Sequence, residues 1–186
     1  MNVELPSEPL GDGVVTLRPW RADDAAAIAA AFADAESLYW MHQVPSPYTE
    51  SDALDYVRAM EAAWSARTGG AFAVVDEATG RVAGSIGLNV IDPELSVVEV
   101  GYWAAPGFRG RGITTRALRL LSRWLLGTAG AERVQLRADV RNAASIRVAE
   151  KAGFLREGVL RSSGYNQRAG RRIDYAVYSL LPGEES

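Results

Sequence analysis

The 186-residue chain contains no cysteine, one histidine (His42) and one lysine (Lys151). Without thiols there are no disulfides, thiolate zinc sites or cysteine nucleophiles. No apolar run approaches the roughly 20 residues that span a bilayer, so no membrane partner is expected. Residues 1–10 carry neither a basic region nor an apolar run, so they do not read as a signal peptide and the expected location is cytoplasmic. Linkers, repeats and low-complexity tracts are also missing. The chain therefore reads as one domain over residues 1–186, large enough to bury a core without disulfides or a structural metal.

Hydrophobic residues at 48% and charged residues at 23% fit a globular chain. The net charge of −3 conceals a partition: residues 1–100 hold five arginines against sixteen acids, a net of −11, and residues 101–186 hold fifteen basic side chains against seven acids, a net of +8. Such asymmetry points to different partners for the two halves, or simply to surfaces of different sign.

Residues 14–20 (VVTLRPW) read as a first strand. Asp23 and Asp24 open an alanine-rich helix ending near Ala33, their charge suited to the positive end of its dipole. Residues 38–48 read as irregular, because Pro45 and Pro47 block a helix. Thr49 and Asp52 form a capping-box pattern for a helix reaching about Arg67. Strands at 72–75, 81–90 and 97–103 are joined by turns at Thr79-Gly80 and Asp92-Pro93, which predicts an antiparallel meander. An amphipathic helix over 114–126 places Leu118, Leu121 and Leu125 on its apolar side. A strand at 133–138, a helix capped by Asn142 and ending at Gly153, and strands near 154–160 and 173–180 complete a mixed α/β domain with one central sheet.

Between the third meander strand and the amphipathic helix lies Phe108-Arg109-Gly110-Arg111-Gly112-Ile113-Thr114. Glycines let the backbone turn several N–H groups toward one point, and the helix start adds unpaired N–H groups and a positive dipole end. This is a phosphate or pyrophosphate cradle, to which Arg109 and Arg111 add charge, or else a glycine turn with two solvated arginines. No Gly-Lys-Ser/Thr follows, and the feeding strand ends a meander, so neither a Walker loop nor a dinucleotide fingerprint fits. One RGRG without repeats carries little weight as an RNA contact, and no nucleic-acid partner is expected.

Glu99-Val-Gly-Tyr-Trp103, Arg109-Gly-Arg-Gly-Ile-Thr114, Asn142-Ala-Ala-Ser145 and Glu150-Lys-Ala-Gly-Phe154, in that order and spacing, resemble the GNAT acetyltransferase superfamily, most closely its ribosomal-protein-alanine (Rim-type) branch. The resemblance covers residues 14–181. It implies a GNAT-type mixed central sheet, mostly antiparallel in its N-terminal half, with splayed strands and flanking helices. It implies acetyl-CoA as co-substrate and no metal. Gly110, Arg111, Gly112, Ile113 and Thr114, with Arg109, would hold the pyrophosphate through backbone N–H groups. The family pattern is Arg/Gln-x-x-Gly-x-Gly/Ala, and this chain carries the β-branched Thr114 at its last position. The pantetheine arm would pair with backbone around Val100, Tyr102 and Trp103 like an added strand, and Asn142 would bond to it while also capping its helix. Arg147 and Lys151 would reach the 3′-phosphate or stay solvated.

Acetyl transfer needs an unprotonated amine, a stabilised oxyanion and a proton for the leaving thiolate. Glu99 stands in the apolar run Val97-Val98-Glu99-Val100, where a carboxylate is either a base made usable by burial or a group held by an arginine. The resemblance implies the first, directly or through water. The tyrosine that many superfamily members use as acid is replaced here by Ala149. The Rim-type branch implies Ser145 instead, which could equally be plain helix polarity, and Tyr165 in an expected loop is the fallback. Tyr39, Trp40 and Tyr48 are either an amine pocket or core anchors. His42 is read as a surface or substrate-rim residue. The expected reaction is direct attack by a primary amine, on a small molecule or a protein N-terminus, in a ternary complex. A non-catalytic CoA-binding module and a succinyl donor remain alternatives. Exposed apolar strands could support a homodimer.

Overall fold

Turn chemistry sets the N-terminal meander in the computed structural model, which describes Met1 and residues 3–185. Strands β1 (Leu10–Gly11) and β2 (Val15–Pro19) form a first hairpin. Strands β3 (Gly70–Asp76), β4 (Arg81–Asp92) and β5 (Val97–Ala104) then follow as an antiparallel meander. The Asp76 carboxylate accepts from the Thr79 hydroxyl at 2.6 Å, and Gly80 takes φ +66°. At the second turn the Asp92 carboxylate accepts the N–H groups of Glu94 and Leu95 at 3.1 and 2.9 Å. Both turns lie where the sequence places them, because they depend on short-range bonds of Asp and on glycine's tolerance of positive φ.

Before the meander, a 3-10 turn at Ala22–Asp24 runs into helix α1 (Ala25–Phe32), followed by α2 (Ala35–Trp40) and α3 (Glu50–Ala66). The Thr49–Asp52 capping box is formed in both directions, at 3.2 and 2.8 Å. Residues 38–40, read as irregular, are helical. The Asp34 side chain accepts the Ser37 N–H at 2.8 Å and starts α2 well ahead of the prolines.

The second half comprises α4 (Ile113–Gly127), β6 (Arg133–Asp139), α5 (Ala143–Lys151), β7 (Leu155–Asn166) and β8 (Arg171–Leu180). The eight strands form one sheet in the order β1-β2-β3-β4-β5-β6-β8-β7, antiparallel except for β5 with β6. Tyr165, expected in a loop, lies on β7. No helix among the described residues is long and apolar enough to cross a membrane.

The sheet buries both faces. On one, Leu118, Leu121 and Leu125 of α4 are fully buried against Val98, Val100, Val134 and Leu136. On the other, Ile28 and Phe32 of α1 and Ala53 and Val57 of α3 pack on Trp20, Ala71 and Ala73. Each such Leu, Ile or Phe contributes about 2 kcal/mol.

Asp24, just before α1, is buried and held by both nitrogens of the Arg18 guanidinium at 2.7 and 2.8 Å and by the Arg21 N–H at 2.9 Å. Burial alone would raise its pKa, yet the Arg18 and Arg21 contacts outweigh burial and lower it from 3.8. Its stabilising effect is present above the unfolded value and fades as pH falls through the lower folded one. Asp24→Asn is therefore expected to lose about 2 kcal/mol at neutral pH. In urea unfolding, that difference from wild type should shrink below about pH 4.

Candidate active site

Strands β5 and β6 run parallel only from Val97 opposite Arg133 to Glu99 opposite Gln135, and then part. Beyond that point β5 stays on β4, through Val100 opposite Leu88 to Ala104 opposite Gly84, and β6 stays on β8. A cleft of about 900 Å³ opens there, with Glu99, Val100, Tyr102, Trp103, Asn142 and Ser145 in its walls. The splay expected of the central sheet is thus present, between β5 and β6. On the β4 side the register slips between Leu88 and Val90, which leaves Asn89 over Gly101, and a Cβ on Gly101 would meet the Asn89 amide at 2.4 Å.

Alternation along β5 sends neighbouring side chains to opposite faces. Val98 and Val100 enter the α4-side core, whereas the buried Glu99 faces the other way. The Arg137 guanidinium donates to Glu99 Oε1 at 2.8 Å and the Gln135 amide to Oε2 at 3.3 Å. Instead of a lone carboxylate in apolar surroundings, the site holds a paired one, as a buried charge requires.

On the opposite face, the Tyr102 hydroxyl lies 3.0 Å from Ser145 Oγ and donates to the Ser145 carbonyl at 3.1 Å. Burial pushes the Tyr102 hydroxyl up to about 12, although the Ser145 contact acts in the opposite direction. Ser145 is fixed from below as well, since Asn142 Oδ1 caps α5 by accepting the Ser145 N–H at 3.0 Å. The expected contribution of Tyr102 was through its backbone, and the side-chain contact with α5 is an addition the motif did not contain.

The glycine loop adopts the backbone that a cradle requires. Gly110 and Gly112 have φ +75° and +78°, a region that strains other residues, and Gly112 caps α4. The N–H groups of residues 110–115 have no partner among the described residues. Unpaired N–H groups of this kind are found at any helix start and are able to hold an anion, and the preceding loop extends the row. The two loop arginines differ. Arg109 is tied to Asp34 at 2.7 Å, Glu36 at 2.8 Å and the Ser37 hydroxyl at 2.7 Å, which fastens the loop to α2 and withdraws its charge from the cradle. Its hydrogen bond is the main reason the Asp34 carboxyl lies below the usual carboxylate range. Arg111 lies over the Phe108 ring at 5.4 Å and has no acidic partner among the described residues. The same holds for Arg147 and Lys151 on α5.

Of the residues expected around the acceptor, Trp40, His42, Tyr48 and Tyr165 line the cleft. Tyr39 does not. Its carbonyl accepts from the Asn166 amide at 3.0 Å, and the Arg171 guanidinium approaches its hydroxyl at 3.3 Å, so it anchors α2 to the β7–β8 hairpin. Tyr48 packs on Phe32 with ring centroids 4.9 Å apart, and burial pushes its hydroxyl to about 12. It serves as both wall and core anchor. His42 Nδ1 is buried with no hydrogen-bond partner among the described residues, and burial, followed by the nearby Arg168 and Arg171, lowers its pKa. The Trp103 ring stacks on Trp20 at 6.2 Å and contacts Phe32 at 5.1 Å, joining the α1–α3 core.

Sequence reasoning missed Gln135, Arg137 and Asp139. The alternation R-V-Q-L-R-A-D over 133–139 marks a strand with one polar face, and that signal was legible. That the polar face meets Glu99 depends on pairing between distant segments. Asp139 is buried and bonded to Arg171 and to the Arg141 N–H at 2.9 Å.

Over 171 residues the chain is 28% identical to a Bacillus licheniformis protein named "Uncharacterized N-acetyltransferase p20", covering 91% of this chain and 94% of that one. It is 32% identical over 82 residues to the ribosomal-protein-serine acetyltransferase of Escherichia coli K12, covering 44% and 46% of the two chains. The fold of Mycobacterium smegmatis RimJ, solved with a CoA-disulfide, superposes with a TM-score of 0.82 at 23% identity, covering 94% of this chain and 86% of that one. Residues 15–155 match the model of the acetyltransferase (GNAT) domain, and the chain belongs to that family.

Proposed function

We propose that this protein is an N-acetyltransferase that moves the acetyl group of acetyl-CoA to a primary amine by direct attack in a ternary complex. The observation that carries the reading is the cleft at the β5–β6 split, which has the Glu99 carboxylate on one face and the Tyr102–Ser145 hydroxyl pair on the other. Acetyl-CoA, when bound, supplies the activated acetyl thioester. The unpartnered N–H groups of 110–115, with Arg111 beside them, fit its pyrophosphate. The unpaired β5 edge around Val100–Trp103 fits an extended amide arm.

Glu99 takes the proton that the acceptor ammonium must lose, directly or through water. Ser145 sits in the first turn of α5, where the helix dipole favours a thiolate, and its hydroxyl supplies that thiolate with a proton. Tyr102, whose O–H is directed at the Ser145 carbonyl, lies 3.0 Å from the Ser145 hydroxyl and holds it in place. The β5 N–H at Val100 is the proposed oxyanion donor. Trp40, His42 and Tyr48 form the acceptor wall, with Tyr165 on the far side. The family places acceptors among protein N-termini and small-molecule amines, and the name of the Escherichia coli relative, a ribosomal-protein-serine acetyltransferase, favours a protein acceptor. The work of such an enzyme is cytoplasmic. The outer edge strand β7 leaves Leu155, Val159 and Leu160 exposed, which supports a homodimer.

The test is thermal unfolding with and without acetyl-CoA, followed by thiol release and product mass spectrometry on a panel of free-N-terminus peptides, amino acids and polyamines. At 100 times its Kd, acetyl-CoA should add about 2.7 kcal/mol of stability. If neither acetyl-CoA nor succinyl-CoA stabilises the protein, the reading fails.

A further inference from the structure

A line of polar side chains leads from the surface to Glu99, and none of them belongs to a family motif. On β6, Arg133, Gln135 and Arg137 alternate with the buried Val134 and Leu136, so the three share one face. Parallel register sets Gln135 against Glu99 of β5. The Gln135 amide nitrogen donates to Glu99 Oε2 at 3.3 Å, and Arg137 donates to Oε1 at 2.8 Å. Behind Gln135, the Arg133 Nε donates to Gln135 Oε1 at 3.2 Å. The other two Arg133 nitrogens clasp both oxygens of Glu157 at 2.6 and 2.5 Å. The Ser179 hydroxyl donates to Glu157 at 2.8 Å, and the Arg133 contact, with that of Ser179, holds the Glu157 carboxyl down to about 2.

Donor chemistry gives this line a direction. A guanidinium has only donors, so Gln135 must turn its carbonyl oxygen toward Arg133. Its NH2 group then faces the Glu99 carboxylate, to which it donates. Glu157, fixed on the β7 edge, keeps Arg133 in the orientation that enforces this. Both oxygens of Glu99 are therefore held from β6, and the carboxylate plane is set before any acceptor enters.

We propose that Gln135 is a positioning residue for Glu99, oriented by the Arg133–Glu157 pair. The proposal rests on Glu99 serving as the base, and its test keeps the two apart. With acetyl-CoA and a hexapeptide bearing a free N-terminal serine, Gln135→Met should lower kcat by about tenfold, part of the loss that misplacing a reacting group by 1 Å produces. KM for both substrates should stay within about twofold. Arg133→Lys, which still offers only donors, should retain most of the rate, whereas Arg133→Met should behave like Gln135→Met. In a Glu99→Gln background, Gln135→Met should change nothing further, because the two act as one unit. An undiminished rate in Glu99→Gln would refute the base and leave Gln135 to the spectroscopic readout. That readout needs no acceptor: the side-chain amide resonances of Gln135 should shift in Glu99→Gln and in Arg133→Met but stay near wild type in Arg133→Lys. Unmoved resonances in the first two variants would overturn the proposal. So would a Gln135→Met kcat within twofold of wild type, or the same loss in the Glu99→Gln background.

Discussion

Glu99→Gln is expected to lower kcat by about a hundredfold or more while acetyl-CoA affinity stays within about twofold, the loss that removal of a general base produces. The glutamine matches the carboxylate in shape, and its amide oxygen can still accept from Arg137, which donates to Oε1 at 2.8 Å in the native protein. The Arg137 contact is therefore kept, while the bond from the Gln135 amide, which needs an acceptor at Oε2, is lost. What also disappears is the ability to take a proton from the acceptor ammonium. The coenzyme contacts proposed for residues 110–115 lie on the loop and the first turn of α4, away from this side chain. Calorimetry with acetyl-CoA and steady-state thiol release separate the two effects. A kcat equal to wild type from about pH 6 to 9 would exclude Glu99 as the base.

The Arg137 pair alters how that base must be understood. The buried carboxylate has a partner of opposite charge, the Arg137 guanidinium at 2.8 Å, as a carboxylate removed from water requires. The acceptor ammonium brings a second positive charge to the same carboxylate. In the proposed reaction Glu99 would bind the cation as well as deprotonate it, so truncating it should raise acceptor KM together with lowering kcat.

The second large effect concerns stability. Gly70 opens β3 with φ +141°, a region nearly closed to other residues, and a Cβ there would fall 2.3 to 2.5 Å from the indole atoms of Trp64. That indole cannot easily yield. Its N–H donates to the Ala71 carbonyl at 3.3 Å, and its ring packs on Phe72 at 4.9 Å. Backbone strain and overpacking, each about 1 to 3 kcal/mol, act together. Gly70→Ala should lose about 4 kcal/mol, or roughly 10 °C in Tm for a chain of this size. Urea unfolding with an unchanged m-value would register this as stability alone. A loss below about 1 kcal/mol would show that the indole moves aside after all.

Much of the fold was legible because it follows local rules. Turns at Asp76–Gly80 and Asp92–Leu95, the Thr49–Asp52 box, the Asn142 cap and the apolar stripe of α4 each depend on residues within a few positions of one another. The two misreadings have short-range causes as well. Helix α2 begins on an Asp34–Ser37 cap that was overlooked beside two prolines, and Tyr165 sits on a strand whose pairing with β8 is irregular between Leu160 and Gly164.

The candidate site divides along the same line. Motif spacing reached Glu99, Ser145, Asn142 and the glycine loop, each identified by its immediate neighbours. It could not reach Gln135 or Arg137, which meet Glu99 across 36 and 38 residues of chain, nor the Tyr102 hydroxyl, which meets Ser145 across 43. Arg109 shows the converse. Its place in the loop suggested charge for an anion, and contacts with Asp34 and Glu36 more than 70 residues away make it a brace.

With no cysteine, the sequence by itself excluded disulfides and thiolate chemistry, and its local patterns determined most of the elements and the glycine loop before α4. The −11 and +8 halves marked a difference in sign but not its use. Only the tertiary structure decided which charges oppose each other, because sheet register is set by packing of whole faces and not by any residue's neighbours in the chain. It paired the acids of α2 with Arg109, placed Arg137 on Glu99 and left Arg111 with no acidic partner among the described residues.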